Sequence, residues 1–99
     1  MPFVTTQPEA LAAAAANLAG VGAMMSAQNA AAAAPTTGVL PAAADEVSVL
    51  AATQFAVHAQ MYQAISAQAE AIHQQFVSTL GMSATSYEAT EAANALAAR

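Results

Sequence analysis

The sequence has no cysteine, no tryptophan and a single residue of the lysine and arginine class, Arg99. Without cysteine the chain cannot form disulfides, thiolate metal sites or a cysteine nucleophile. One basic side chain in a molecule of net charge −5 cannot neutralise a phosphate backbone, so nucleic acid is not expected as a partner. A secretory signal peptide needs a basic n-region, so we do not expect one here.

Large side chains are also scarce. The chain is 58% hydrophobic but only 5% aromatic and 7% charged, because about a third of its residues are alanine. Its length fits a single domain over residues 1–99. The alanine-rich run 10–27 approaches the hydrophobicity of a membrane span, but Asn17 and Ser26 interrupt it and no basic residue flanks it. A membrane-associated or pore-forming protein therefore remains an alternative and is not the favoured interpretation.

The residues that are abundant predict helices. Alanine has the highest helix propensity, and β-branched residues are few. The segment Thr6-Gln7-Pro8-Glu9 matches a capping box, in which the Thr6 hydroxyl and the Glu9 carboxylate cap the backbone and Pro8 occupies the first turn. We therefore predict a first helix over about 8–34, ended by Pro35.

A second helix is predicted after a turn over 35–44, which holds two prolines and a glycine. Asp45 is a suitable N-cap, and no proline or glycine follows until Gly81, a candidate C-cap. The second helix then covers about 45–80, and the tail 81–99 is expected to be weakly helical. The predicted fold is all-α, an antiparallel two-helix hairpin.

Apolar side chains recur at heptad spacing on both predicted helices. Helix one carries a thin stripe from Leu11 to Ala32. Helix two carries a first stripe from Phe55 to Phe76 and a second stripe from Val47 to Gln68. Either one stripe wraps around helix one, or an apolar face stays exposed as an interface with another chain. The second alternative is favoured, and it assigns these residues to a partner interface: Leu11, Leu18, Val21, Met25, Val47, Leu50, Phe55, Val57, Met61, Tyr62, Ile65, Ile72 and Phe76.

Residues able to carry out catalysis are few. Glu70 and His73 have the Glu-x-x-His spacing of di-iron bundles, but that site needs a second copy and two further glutamates. We expect His73 to be a solvated helix residue and His58 to lie at the edge of a stripe with its ring partly buried. No catalytic triad or phosphate-binding loop is visible, so we predict no enzyme activity, no cofactor and no metal.

Three segments together resemble the PE domain of the mycobacterial PE family. The Pro8-Glu9 pair stands within Phe3 to Leu11, the segment Pro41 to Ser48 follows at the expected distance, and Tyr87 and Glu91 match a Tyr-x-x-x-Asp/Glu signal. In a helix, Tyr87 and Glu91 lie on one face because they are four positions apart. The resemblance covers essentially the whole chain.

The resemblance implies a function in pairing and export. A PE domain pairs with a PPE-family protein in a four-helix bundle, and the pair leaves the cell through a type VII (ESX) secretion system without a cleaved signal peptide. A secretion chaperone is expected to contact the PPE protein and not this chain, and the product is expected to be secreted or held at the cell surface or envelope. Since longer family members exist, an N-terminal targeting domain of a longer protein is a further alternative.

Overall fold

The computed structural model describes residues 4–98, and all regular structure within them is helical. Helix α1 spans Pro8–Thr37 and helix α2 spans Glu46–Ala97, with residues 38–45 connecting them. The predicted all-α class is confirmed. Arg99 and the first three residues, including Phe3 of the family motif, lie outside the described part.

Helix α1 begins one residue later than a capping box at Thr6 requires. The Gln7 carbonyl accepts hydrogen bonds from the backbone N–H groups of Ala10 and Leu11, at 3.0 and 3.2 Å. Pro8 therefore takes the first helical position, as predicted, where its missing N–H costs nothing. The predicted Thr6–Glu9 exchange is wrong, since the Thr6 hydroxyl instead donates to Glu91 at 3.1 Å.

At its other end, α1 continues three residues beyond the prediction and contains Pro35. In the last turn a proline removes only its own N–H from the helix. The hydroxyls of Thr36 and Thr37 donate to carbonyls one turn earlier, at 2.6 and 2.7 Å, and the Gly38 N–H donates to the Ala34 carbonyl at 3.0 Å. Only the Gly38 bond reaches one of the last four carbonyls, which a helix end leaves without intrahelical partners, whereas the two hydroxyls add a second donor to carbonyls of the preceding turn.

Helix α2 begins where the sequence predicts. Asp45 acts as the N-cap, because its Oδ2 accepts from the Ser48 backbone N–H at 3.0 Å and its Oδ1 accepts from the Ser48 hydroxyl at 2.7 Å. These hydrogen bonds to the ionised form, the side-chain bond first, lower the pKa of Asp45 below its usual 3.8.

The end of α2 differs from the prediction. A C-cap glycine adopts a left-handed backbone conformation, and no described glycine has a positive φ. Gly81 therefore lies inside the helix, and the predicted weakly helical tail is a regular continuation of α2. No proline follows Gly81, and most of the later residues favour helix, so nothing in the sequence forces a stop.

Contacts divide the chain into two units. We call Met1–Gly22 with His73–Arg99 the terminal unit and Ala23–Ile72 the central unit. In the terminal unit, α1 and α2 segments run antiparallel, since Thr6 bonds to Glu91 and Leu18 to His73. The central unit is a helical hairpin that contains the connection between the helices.

Candidate partner-binding surface

The side of α2 that packs inward carries small and polar side chains in the central unit and includes Val77 and Leu80 in the terminal unit. The buried residues of the described part are all alanines: Ala15, Ala52, Ala59 and Ala84. The half-buried positions between them follow the same helical spacing. On α2 they include Ser48, Ala56, Gln63, Ser66, Glu70, His73 and Val77. Small side chains allow two helix backbones to approach closely, whereas large ones would hold them apart.

Polar contacts hold the central unit at Asn29. The Tyr62 hydroxyl donates to the Asn29 side-chain carbonyl at 2.9 Å, and the Gln63 amide donates to the Asn29 backbone carbonyl at 3.0 Å. Two neighbouring positions of α2 therefore bond to one residue of α1. These directional bonds fix the alignment of the two segments more strictly than alanine contacts alone.

In the terminal unit, His73 packs against α1. Its Nε2 lies 2.6 Å from the Leu18 carbonyl oxygen, so this nitrogen carries the proton and donates. A Cβ added to Gly22 would lie 2.7 Å from Cδ2 of the same ring. The prediction of a solvated His73 is wrong, because the missing Gly22 side chain leaves space in which the imidazole reaches the backbone.

Both predicted stripes of α2 face outward. In the central unit, Leu50, Phe55, Ile65 and Ile72 retain 64%, 65%, 63% and 65% of their surface exposed. The alternative in which one stripe wraps around helix one is therefore wrong, since the alanine, serine and glutamine side packs inward instead. We call the exposed α2 side chains of this unit the apolar face: Val47, Leu50, Phe55, Val57, Met61, Tyr62, Ile65 and Ile72.

The other residues assigned to a partner interface divide by position. Met25 in the central unit and Val21 and Phe76 in the terminal unit are exposed. Leu11 and Leu18 are half-buried within the terminal unit and offer less surface.

The structure also shows features of the central unit that the heptad pattern missed. Met24 is exposed beside Met25 on α1. A shallow apolar cavity of about 440 Å³ lies where α1 ends, and its lining includes Pro35, Val39, Phe55 and His58. His58 itself is exposed. The sequence indicates the cavity only through the pairing of a proline-containing turn with an aromatic residue two turns into α2.

Tyr87 and Glu91 lie one turn apart in the uninterrupted part of α2, in the terminal unit. The Tyr87 side chain is 46% exposed, whereas Glu91 is half-buried and accepts the hydrogen bond from Thr6. Their spacing places them on the same side of the helix, as the sequence predicts.

Between residues 4 and 98, no three histidine, aspartate or glutamate side chains come together to hold a metal ion. Helix α1 is long enough and apolar enough to cross a membrane, a criterion that a packed helix of a soluble protein also meets.

Comparison with known proteins identifies the family of this chain. The family model described as PE family matches residues 4–94. The chain belongs to the PE family. The resemblance of its motifs to that family is confirmed, and the Pro8-Glu9 pair begins α1.

Similar proteins of Mycobacterium tuberculosis strain H37Rv differ in length. The PE family protein PE13 is 65% identical over 98 residues, and the match covers 99% of both chains. PE8 is 56% identical over 99% of this chain, but the match covers 36% of PE8. The PE-PGRS family protein PE_PGRS33 is 60% identical over 96% of this chain, and the match covers 19% of that protein. This PE-family chain thus corresponds to all of one relative and to a minor part of the others.

Proposed function

We propose that this PE-family chain is a non-enzymatic interaction module that pairs with a PPE-family protein and is exported with it by a type VII secretion system. The observation that carries the pairing is the apolar face of the central unit. Eight large side chains lie exposed there on one helix, while the intramolecular packing uses alanine and polar residues. Exposed apolar surface on this scale is typical of a protein interface.

The chemistry of the face defines its partner. Fully burying a leucine, isoleucine or phenylalanine side chain contributes roughly 1.5–3 kcal/mol, so a few such residues offset the cost of association. The large side chains recur at helical spacing along this face, which suits partner helices that pack along the length of α2. In the proposed complex two PPE helices lie on this side and complete a four-helix bundle.

Export is proposed to depend on Tyr87 and Glu91, which match the Tyr-x-x-x-Asp/Glu signal. An aromatic ring and a carboxylate on one side of a helix form a compact recognition element. A secretion chaperone is proposed to bind the PPE protein and not this chain. The exported pair is proposed to be secreted or to remain at the cell surface or envelope, without cleavage of a signal peptide.

The pairing is tested by expressing the chain alone and together with a panel of PPE proteins. We expect the chain alone to aggregate or to unfold without a cooperative transition in circular dichroism. With its partner it should co-purify as a heterodimer that melts cooperatively. A monodisperse, cooperatively melting monomer would refute an obligate partner.

The export signal is tested with Tyr87→Ala in the native secretion host. We expect the variant to accumulate in the cell pellet and to be depleted from the culture filtrate. Glu88→Ala is the matched control, because Glu88 is exposed, adjacent to Tyr87 and at a variable position of the motif. Unchanged export of Tyr87→Ala would refute the assignment.

A second candidate is membrane association, favoured by the length and apolarity of α1. Against it, the described helices have no basic residue in their last turns, and such residues attract an anionic lipid surface. Flotation with liposomes, with and without the PPE protein, separates the two: pairing predicts that the chain stays in the protein fraction once its partner is present.

A third candidate, a targeting domain of a longer protein, is favoured by PE8 and PE_PGRS33, and the length of the open reading frame decides it.

A further inference from the structure

Glu91 stands apart from its neighbours at the end of α2. Of positions 85–98, it alone is half-buried, and the others are exposed. Its Oε1 accepts a hydrogen bond of 3.1 Å from the Thr6 hydroxyl, across 85 positions of sequence. Thr6 is half-buried too, whereas Thr5 beside it is exposed. The segment before α1 therefore contacts this one carboxylate directly.

This contact restricts the carboxylate of Glu91. A free glutamate near a helix end samples many rotamers, and a receptor that binds it has to order them. The bond from Thr6 selects a subset in which Oε1 points toward the N-terminal segment. Because the bond uses one oxygen, Oε2 remains available to a recognition partner, on the side of the helix that carries Tyr87.

We propose that Thr6 is a positioning residue of the export signal, which orients Glu91 relative to Tyr87. This inference rests on the proposed export function. It adds a third residue to the signal, from the opposite end of the chain. It also makes the complete signal a property of the folded terminal unit, because Thr6 and Glu91 meet only when α1 and α2 are paired there.

The test uses three variants in the native secretion host, each co-expressed with the PPE protein. Thr6→Val replaces the hydroxyl by a methyl group of similar size, Thr6→Ser keeps the hydroxyl, and Thr5→Val makes the same change at the exposed neighbour. We expect Thr6→Val to lower the exported fraction by about three- to tenfold, within the range expected for loss of one ordinary intramolecular hydrogen bond. Thr6→Ser and Thr5→Val should export as the original chain does.

Two further measurements separate positioning from a general structural role. Co-purification with the PPE protein should be unchanged in Thr6→Val, since Thr6 is outside the apolar face. Hydrogen exchange within residues 85–97 of the purified pair should be unchanged in Thr6→Val, because orienting one side chain does not hold the helix end together, and a rise there would indicate a structural role. Rescue of export by serine, with exchange unchanged in both variants, would establish that the hydroxyl acts on the Glu91 side chain.

Four outcomes would overturn the inference. They are normal export of Thr6→Val, an equal loss in Thr5→Val, failure of Thr6→Ser to restore export, and loss of pairing in Thr6→Val. The Tyr87→Ala variant distinguishes this failure from failure of the proposed function. If Tyr87→Ala blocks export and Thr6→Val does not, the export signal stands and only the role of Thr6 is refuted.

Discussion

At the scale of single residues, Gly22 and His73 show that the absence of a side chain at one position makes room for a contact by another residue. A glycine inside a helix costs about 1 kcal/mol relative to alanine. At Gly22 the absence of a side chain lets the imidazole of His73 reach the Leu18 carbonyl. The sequence shows a glycine in a helix but not which residue fills the space. The hydrogen bond that holds His73 there joins it to Leu18, 55 positions away in the chain.

Gly22→Ala should destabilise the fold by about 1–2 kcal/mol, because the new methyl group overlaps the His73 ring and displaces its hydrogen bond. In a His73→Ala background the same change should instead stabilise by up to about 1 kcal/mol through helix propensity. A double-mutant cycle measured by urea unfolding of the purified pair with the PPE protein tests this reversal of sign. Gly20→Ala is the control, since nothing lies within 4 Å of its added Cβ, and it should behave alike in both backgrounds. Additive effects of Gly22→Ala and His73→Ala would contradict the packing described here.

Asp45 makes the start of α2 sensitive to acid. Its pKa is lower in the folded chain than the usual 3.8, because Ser48 donates two hydrogen bonds to the carboxylate. The stabilisation is therefore fully present above about pH 3.8, and it is lost as the pH falls through the lowered pKa. Asp45→Asn keeps an N-cap acceptor but does not titrate. We expect the original chain to be more stable than Asp45→Asn at pH 6, and that difference to shrink toward pH 2, measured by urea unfolding of each purified pair with the PPE protein. A constant difference would show that the carboxylate is not coupled to folding.

At the scale of elements, the sequence predicts helix starts better than helix ends. Pro8 and Asp45 act locally, through a missing N–H and a capping carboxylate, so their positions determine where α1 and α2 begin. Helix ends are harder to predict, because a proline or a glycine ends a helix only where the surrounding structure does not accommodate it within the helix. Pro35 is tolerated because it stands in the last turn, where few helical bonds follow it, and Gly81 stays helical because a following helical segment is available.

Gly81→Ala tests the continuity of α2. Because Gly81 has no positive φ and nothing lies within 4 Å of an added Cβ, alanine should stabilise the helix by up to about 1 kcal/mol. At a left-handed C-cap the same change would destabilise the chain. Ala89→Gly, at an exposed position of the same helix, is the reciprocal control and should destabilise by a similar amount. The measurement is helix content and thermal midpoint of the purified pair with the PPE protein by circular dichroism, and a lower midpoint for Gly81→Ala would indicate a helix end at that position.

At the scale of the molecule, the composition predicts an incomplete core but not which side of α2 is left exposed. Heptad spacing identifies apolar stripes, and a stripe is normally assumed to pack inward. Here the inward side is chosen by close approach at Ala52 and Ala59 and by the bonds from Tyr62 and Gln63 to Asn29. These are side-chain fits between two segments, and the period of one segment does not contain them. The family motifs were predictable because they are local, whereas the Thr6–Glu91 contact was not.

The exposed stripes lead to a prediction about partner binding that does not depend on the stability of the hairpin. Ile65→Asp and Ile72→Asp place a charge at positions that are 63% and 65% exposed. The substitutions should leave intramolecular packing intact and should weaken the proposed pairing by at least about tenfold each, because a buried unpaired carboxylate is costly. Gln74→Asp is the control: it is exposed, and since it stands two residues from Ile72 it lies on the other side of the helix.

Affinity for the PPE protein, measured by titration calorimetry or by competition in co-purification, should fall for the two isoleucine variants and stay unchanged for Gln74→Asp. Equal affinity for all three would move the interface away from the apolar face. A loss of affinity in all three variants would point to a general effect of added negative charge. The comparison is necessary because the molecule already has a net charge of −5. Loss at Ile65 and Ile72 alone would establish that the side of α2 excluded from the hairpin is the side that binds the partner.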